Sequence, residues 1–562
     1  MLHSSRRILI SFMCVLFSSG LALYASEPIH ITINNFVLFT FTEDFYGIQY
    51  NKNAYNDTTS LNKLEKLDLK WLRLWAYPED FHPEPGVWEW TTLDQQINEV
   101  HDLGYEIVLC LFQSHDWFTG TPENGWWNND TAVAEWRITA RELALRYQDR
   151  VKMFLMFDEV NYLSPNLDDY MTFKQCAELY VAAATEIKNV NPDLFCGGPS
   201  GYGGWENGHW GNYVIQEPGG SDLLDFISVN QFITWDPEES DADVMDHTIW
   251  YEEGPNKIRD MMGDNSPDML VLDAYNVNGL WQYQGELWTD PRNTNLFGGI
   301  YHAAAKLHSA KGGYDITLHW ETLGGYGVLR WYPDFEENPP YYCWRFLIET
   351  ADLTAGSILI DAQSTEVARD AQHMSPINVN SYHVQPFAIK NADGNVRIIL
   401  INKYDESKTL TVHTPENMNH YKRYRFDSDR IETSMDMLDC SAVEDSASIT
   451  CPPMSVTVLR YGPEAAVTIS DVSSPEIFYL GQNYPNPFNA GTVIPYCLIR
   501  DEMVEISIYN HRGEKVQTLL HRTQQAGAHK LFWNAEGYPS GIYLCKIQSE
   551  DGLAVKKMQL VK

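Results

Sequence analysis

Residues 152–161 read Lys-Met-Phe-Leu-Met-Phe-Asp-Glu-Val-Asn, an apolar run closed by two adjacent acids. An uninterrupted apolar run of this length is the pattern of a strand covered on both faces, as in a parallel sheet. Seven further runs of the kind fall at Phe45–Gln49, Trp71–Tyr77, Glu106–Phe112, Leu194–Gly198, Leu224–Phe232, Met269–Tyr275 and Ile316–Glu321, and the quoted one continues to Glu159. Stretches with helical period separate them, among them Asp94–Leu103, Ala132–Tyr147, Phe173–Asn189 and Leu296–Lys311. Eight strands alternating with helices predict an α/β fold, a closed (β/α)8 TIM barrel over residues 26–350, with its working end at the C-terminal strand ends. An open doubly wound sheet would stop near six strands and carry a glycine fingerprint, and neither is seen.

Beyond the barrel the pattern changes. Over residues 351–462 short alternating strands predict an antiparallel β-sandwich. Val384–Lys390 and Val396–Lys403 flank the hairpin signal Asn391-Ala392-Asp393-Gly394. Residues 29–41 are extended and are expected to join that sandwich. Residues 463–476 (PEAAVTISDVSSPE) form a polar linker, and residues 477–562 a small all-β, immunoglobulin-like module. Three modules suit 562 residues at ~100–200 residues per domain.

Forty basic residues stand against 76 acidic ones, which removes the clustered cations that nucleic-acid binding needs. Arg6 and Arg7 precede a largely apolar stretch from Ile8 to Leu23, with Ala25 before Ser26, so residues 1–25 read as a secretory signal peptide. That run is short for a membrane span, and no transmembrane segment is expected. Cys110, Cys176, Cys196 and Cys343 lie singly in apolar stretches and are expected to be buried thiols. Cys440 with Cys451, and Cys497 with Cys545, are candidate disulfides in an exported chain. The spacings that hold metals or phosphates are missing, so neither a metal nor a cofactor is expected.

The chemistry is expected at the strand ends. Glu159 closes strand four, where loss of water raises a carboxyl pKa and suits it to donate a proton at neutral pH. The rival reading is a helix cap or a salt-bridged rim acid. Strand seven reads Leu270-Val271-Leu272-Asp273-Ala274-Tyr275-Asn276. Alternation lets Leu272 and Ala274 face the helices, whereas a charged Asp273 cannot do so cheaply. Glu321, after Trp320, is a third acid at the same rim. Trp126, Trp127, Trp205, Trp210, Trp235, Trp281 and Trp288 fall in loops on that side, as glycan contacts or as loop cores.

Two resemblances sharpen this. FLMFDEVN (Phe154–Asn161) resembles the W-E-I-W-N-E-P-N motif of clan A glycoside hydrolases. Trp71-Leu72-Arg73-Leu74, Pro85–Trp90, Gly197-Gly198-Pro199, Asp225–Ser228 and His319-Trp320 follow in the clan's order. The set is most similar to glycoside hydrolase family thirty-nine, the β-xylosidase and α-iduronidase group. This implies a glycosidase acting on a poly- or oligosaccharide, with Glu159 as acid/base and a nucleophile on strand seven. Aligned on Asn276 the nucleophile position holds Ala274; aligned one residue earlier it holds Asp273, the choice that alternation prefers. Asp158 stands where the clan has an asparagine that contacts the sugar, and Arg73 where an arginine orients the nucleophile. His115, Trp117, Asn230 and Trp320 are the remaining candidate substrate contacts. A chain that has lost its nucleophile would instead be a carbohydrate-binding pseudoenzyme. The module at the C-terminus resembles the sorting domain of type IX secretion, through QNYPNPFN (Gln482–Asn489), YNHRGEKV (Tyr509–Val516) and SGIYLCKI (Ser540–Ile547). It implies that secretion machinery as a partner and a secreted or cell-surface location.

Overall fold

The computed structural model describes residues 28–562 apart from 51–57, 113–129, 159–171, 203–206, 332–334, 367–368, 371–379, 392–393, 414–417, 419, 432–438, 443–445, 463–477, 481–482, 484–485, 499–501, 525–526 and 550–552. Eight parallel strands form the barrel: β1 (Tyr46–Gln49), β2 (Trp71–Ala76), β3 (Glu106–Leu111), β4 (Val151–Met156), β5 (Phe195–Gly197), β6 (Phe226–Thr234), β7 (Met269–Asn278) and β8 (Ile316–His319). Their order in the sheet is β5-β4-β3-β2-β1-β8-β7-β6, and β5 returns to β6 to close it. That seam is narrow: Gly197 pairs with Phe226, and just past β5 Gly201 and Tyr202 pair with Val229 and Asn230. A Cβ on Gly197 would lie 2.4 Å from the Phe226 ring and carbonyl, so only glycine lets the two backbones meet there.

Side chains alternate across each strand. Trp71, Val108, Cys110, Met153, Leu155, Phe226, Val271, Ile316 and Leu318 fill the barrel interior. Their neighbours Leu72, Leu109, Phe154, Ile227, Leu270 and Leu272 pack outward on the helices. The expected helices stand at Thr91–Asp102, Asp130–Tyr147, Phe173–Val190 and Leu296–Gly312. The capping box of Thr172 and Gln175 starts the third of these.

A nine-stranded sheet follows the barrel, and the strand His30–Thr40 lies within it, antiparallel to Ile358–Ser364 and parallel to Lys408–His413. Its two faces serve two cores. Phe387, Ile389, Ile399, Ile401, Val456 and Val458 join the barrel's helical layer. Ala388, Ile398, Leu400 and Leu459 turn the other way, onto Ile31, Leu410, Val412 and Ile449. The last module has a three-stranded and a four-stranded sheet around Trp533, Ile506, Ile508, Tyr543 and Met558. Among the described residues no helix is long and apolar enough to cross a membrane.

The disulfide expectations are corrected. Cys451 and Cys545 are buried free thiols. The strands of Cys440 and Cys451 stand at opposite ends of the nine-strand order, and Cys497 and Cys545 lie in different sheets.

Barrel and sandwich are joined by a buried polar cluster. Asp246, 5% exposed on the helix Asp241–Asp246, accepts hydrogen bonds from Ser381 and Tyr404, each at 2.5 Å, and lies 3.3 Å from the Lys403 ammonium. An Asp246→Ala variant leaves Lys403 buried without its counter-charge, which costs about 3–5 kcal/mol. Urea unfolding should show a lower midpoint at an unchanged slope. A Glu336→Ala variant, which breaks the exposed pair with Arg330, should lose less than about 1 kcal/mol.

Candidate active site

Arg73 is the centre of the barrel mouth. Alternation along β2 points Trp71, Arg73 and Trp75 inward while Leu72 and Leu74 face the helices. Its guanidinium, fully buried, lies 4.5 Å over the Trp75 ring. Nη2 donates to Asp158 Oδ1 at 2.6 Å and to Cys110 Sγ at 3.5 Å. Nη1 lies 3.3 Å from Asp273 Oδ2 and donates to the Asp273 carbonyl at 3.3 Å. One cation therefore ties β2, β3, β7 and the segment just past β4 together.

Asp273 owes its aim to a bulge. Val229 pairs with Leu272 and Asn230 with Ala274, so Asp273 has no partner on β6. On the other side Thr317 pairs with Leu272 and His319 with Tyr275, a second register shift at the same place. An extra residue of this kind bends the strand and re-aims a side chain. Asp273 turns inward to Arg73, and Tyr275 turns outward, where its hydroxyl accepts from Lys306 Nζ at 2.6 Å.

The electrostatics follow from burial. Desolvation pushes Asp273 up to about 6, against Arg73, which lowers it; the Asp158 charge adds to the rise, and the hydroxyls of Ser200 and Ser228 oppose it. Asp158 is also raised by burial, against the Arg73 charge and its hydrogen bond and the Ser200 hydroxyl. Two carboxylates share one arginine in a dry site, so the pair holds a proton well above the ordinary carboxylate range. Glu321, half-buried, is pushed up to about 8 by burial and stands protonated at neutral pH.

Asn276 fixes the loop that carries Glu321. Its amide donates to the carbonyls of Trp320 and Tyr326, the latter at 2.8 Å, and its oxygen meets His302 Nε2 at 3.2 Å. The Glu321 amide in turn donates to the Tyr326 carbonyl at 3.2 Å. In the sequence Asn276 serves only as an alignment anchor, and nothing there marks it as a support. Ser200 and Ser228 were missed for the same reason: hydroxyls carry no charge pattern.

The other candidates divide. Trp320 meets Trp75 and Phe232 edge-to-face at 6.0 and 6.4 Å, which places it over Arg73's neighbour at the mouth. Asn230 is 3% exposed and sits within β6 rather than at its end. Glu159, His115 and Trp117, with Trp126, Trp127 and Trp205, lie outside the described residues. Trp210 is core, fully buried, with its indole N–H on Cys176 at 3.1 Å. Within Pro85–Trp90, Trp88 stacks on His82 at 3.8 Å and on Trp90 at 4.9 Å, which makes that motif scaffold. At the opposite barrel end a cavity of about 470 Å³ opens among Asp44, Lys70, Trp71, Glu106 and Asp315, on the face that serves stability in this architecture. Among the described residues no cluster of ligands suits a metal ion.

Residues 482–561 match the family described as the secretion system C-terminal sorting domain. No curated protein matches the chain. Among solved structures it resembles an α-L-arabinofuranosidase from Thermotoga maritima, at 15% identity over 77% of this chain and 99% of that one, with a TM-score of 0.56. A bifunctional glucanase-xylanase from a metagenome library matches at 13% identity over 78% and 99%, TM-score 0.55. A GH30 endoxylanase from Clostridium papyrosolvens matches at 11% identity over 77% and 100%, TM-score 0.53. The likeness at such identities is one of fold, a glycosidase-like barrel and β-sandwich. The sorting domain marks the chain for secretion and the cell surface.

Carboxyl-labelled NMR of the chain tests the electrostatics. A titration near pH 6, well above the ordinary aspartate value of 3.8, should vanish in Asp273→Asn, and one near pH 8 should vanish in Glu321→Gln. Because Arg73 lowers Asp273, an Arg73→Met variant should move the Asp273 midpoint upward. A midpoint that stays put or falls would contradict the assignment.

Proposed function

We propose that this protein is a secreted glycoside hydrolase that cleaves poly- or oligosaccharides with carboxyl groups at the barrel mouth. The observation that carries the reading is the Arg73 clamp. It holds Asp158, the residue before Glu159, at 2.6 Å and Asp273 at 3.3 Å, so the segment just past β4 and the middle of β7 face each other across one cation. The sequence motifs resemble most those of family thirty-nine of clan A; the likeness in fold to arabinofuranosidase, glucanase and xylanase structures supports only a glycosidase-like barrel.

In this reading Glu159 protonates the glycosidic oxygen as the bond breaks. Asp273, kept ionised above about pH 6, attacks the anomeric carbon or takes a proton from water. The first outcome needs carboxyls about 5–5.5 Å apart and the second about 6.5–9.5 Å. Aspartate is one methylene shorter than glutamate, so the pair is compatible with either outcome. Glu321, protonated at neutral pH, donates a hydrogen bond to a sugar hydroxyl beside Trp320. Arg73, Asp158 and Asn230 complete the polar floor, and His115 and Trp117 remain candidate sugar contacts from the sequence. No cofactor or metal enters the mechanism.

One observation favours a second reading. Asp273 is 0% exposed, so its carboxylate serves Arg73 first. If it never meets the substrate, the chain binds glycans without turnover, or Glu321 supplies the second carboxyl.

Release of reducing ends from neutral polysaccharides by the chain lacking residues 1–25 decides between these. Glu159→Gln should lose roughly 10²–10⁴-fold in rate, the range for general acid catalysis. Azide should restore turnover to Asp273→Gly if Asp273 is the nucleophile. Rescue in Glu321→Gly alone would move that role to strand eight, and binding without release from any glycan would favour the pseudoenzyme.

A further inference from the structure

Past the end of β7 the chain forms a hairpin that no core contact requires. Gln282 pairs with Leu287 and Tyr283 with Glu286. The Trp288 amide donates to the Trp281 carbonyl at 3.0 Å. Gln284 and Gly285 both have positive φ, 52° and 84°, the geometry of a type I′ turn. Alternation then puts Trp281, Tyr283 and Trp288 on one face, with the Tyr283 and Trp288 rings 5.7 Å apart, and sends Leu287 to the other.

The hairpin is held at its base and at its side. Asn278, the last residue of β7, donates to Asp290 Oδ2 at 3.1 Å, and Arg292 Nη2 donates to the same oxygen at 2.7 Å. Asn278 and Asn293 exchange two hydrogen bonds of 3.0 Å. Tyr283 O–H reaches Glu238 on the loop after β6 at 3.0 Å. The Tyr326 hydroxyl from the β8 loop donates to the Leu280 carbonyl at 2.5 Å. Trp281 is nevertheless 60% exposed. A rigid support for a solvent-facing indole is a recognition feature, since an aromatic held in place loses little entropy on binding.

We propose that this hairpin is a stacking platform for a neutral polysaccharide chain, which lies across Trp281 and continues into the barrel mouth. The location rests on the glycosidase reading; the binding does not. The apolar C–H face of a pyranose ring matches the electron-rich face of an indole. The hairpin's other polar groups are Gln282, Gln284 and Glu286, neutral amides and one acid, on a chain with 36 more acidic than basic residues, so a polyanionic glycan is repelled. From Asp273 to Asn278 the strand alone advances ~16 Å at ~3.3 Å per residue. A ligand that spans both places is several sugar units long, which excludes a mono- or disaccharide as the platform's full occupant.

Affinity electrophoresis of the chain in gels containing arabinoxylan, mixed-linkage β-glucan or galactomannan tests this without any hydrolysis. At least one should retard the protein, Trp281→Ala should weaken that affinity at least fivefold, and Trp281→Phe should retain most of it. Leu287→Ala, on the far face of the same hairpin, should migrate like the parent and controls for loss of the turn. Retardation by none of the three, or retardation indifferent to Trp281→Ala, overturns the platform. Binding through Trp281 without reducing-end release would sink the hydrolase reading and leave the platform standing. Release with no dependence on Trp281 would do the reverse.

Discussion

A guanidinium with no access to water must be neutralised where it stands. Arg73 is fully buried inside the barrel, and taking such an ion out of water costs several kcal/mol even after relaxation. Asp158 and Asp273 offset that cost, and in doing so they bind β2, β7 and the segment just past β4 to one point. Burial opposes the Arg73 charge, but its two acid neighbours and Cys110 hold it charged well beyond an ordinary arginine. The mouth of the barrel is thus organised around a permanent positive charge. The cation fixes the two carboxyl groups before any substrate arrives, and it is those acids, not the arginine, that suit the positive charge developing on a sugar ring as a glycosidic bond breaks.

The same cation explains why strand seven is irregular. A regular strand would turn Val271, Asp273 and Tyr275 to the interior in sequence. Tyr275 instead faces the helices, where its hydroxyl meets Lys306, an amine whose pKa burial drives far down and whose Nζ lies 3.1 Å over the Trp344 ring. The bulge at Asp273 resolves the conflict by spending one residue to satisfy both layers. Alternation read from the sequence therefore agrees with the placement of Leu272 and Asp273. It stops being a guide one residue later, because period two holds only until the ladder slips.

What was legible in the residues was whatever the two periods encode. The eight barrel strands, four of the helices and the hairpin at Val384–Asn402 are runs of apolar residues, and apolar runs are visible without partners. The Trp250–Met262 helix was not, since Pro255 interrupts its pattern, yet Pro255 packs buried within it. Supports such as Asn276, Ser200 and Ser228 are polar residues whose partners lie 26 to 73 positions away in sequence, and a single sequence cannot pair them. The disulfide expectation failed on the same ground, for compartment and spacing say nothing about which strands end up adjacent. An exported chain can keep such thiols: burial pushes Cys110 and Cys451 up to about 12, and a protonated, enclosed thiol is a poor target for oxidants.

Asp273 and Glu321 differ in what their burial is for. Asp273 is raised to about 6 while an arginine pulls it down, so its desolvation is partly repaid and it ionises within the neutral range. Glu321 has burial as the cause of its rise to about 8 and keeps its proton there. Two carboxyl groups whose surroundings push them to opposite sides of neutral pH are the raw material of acid–base division. The division lies in the environment rather than in residue type: the cation on β2 reaches β7, and the Asn276 amide sets the loop after β8. Exchanging the two acids would exchange side-chain lengths without exchanging their charge states, because Arg73 would still stand beside position 273.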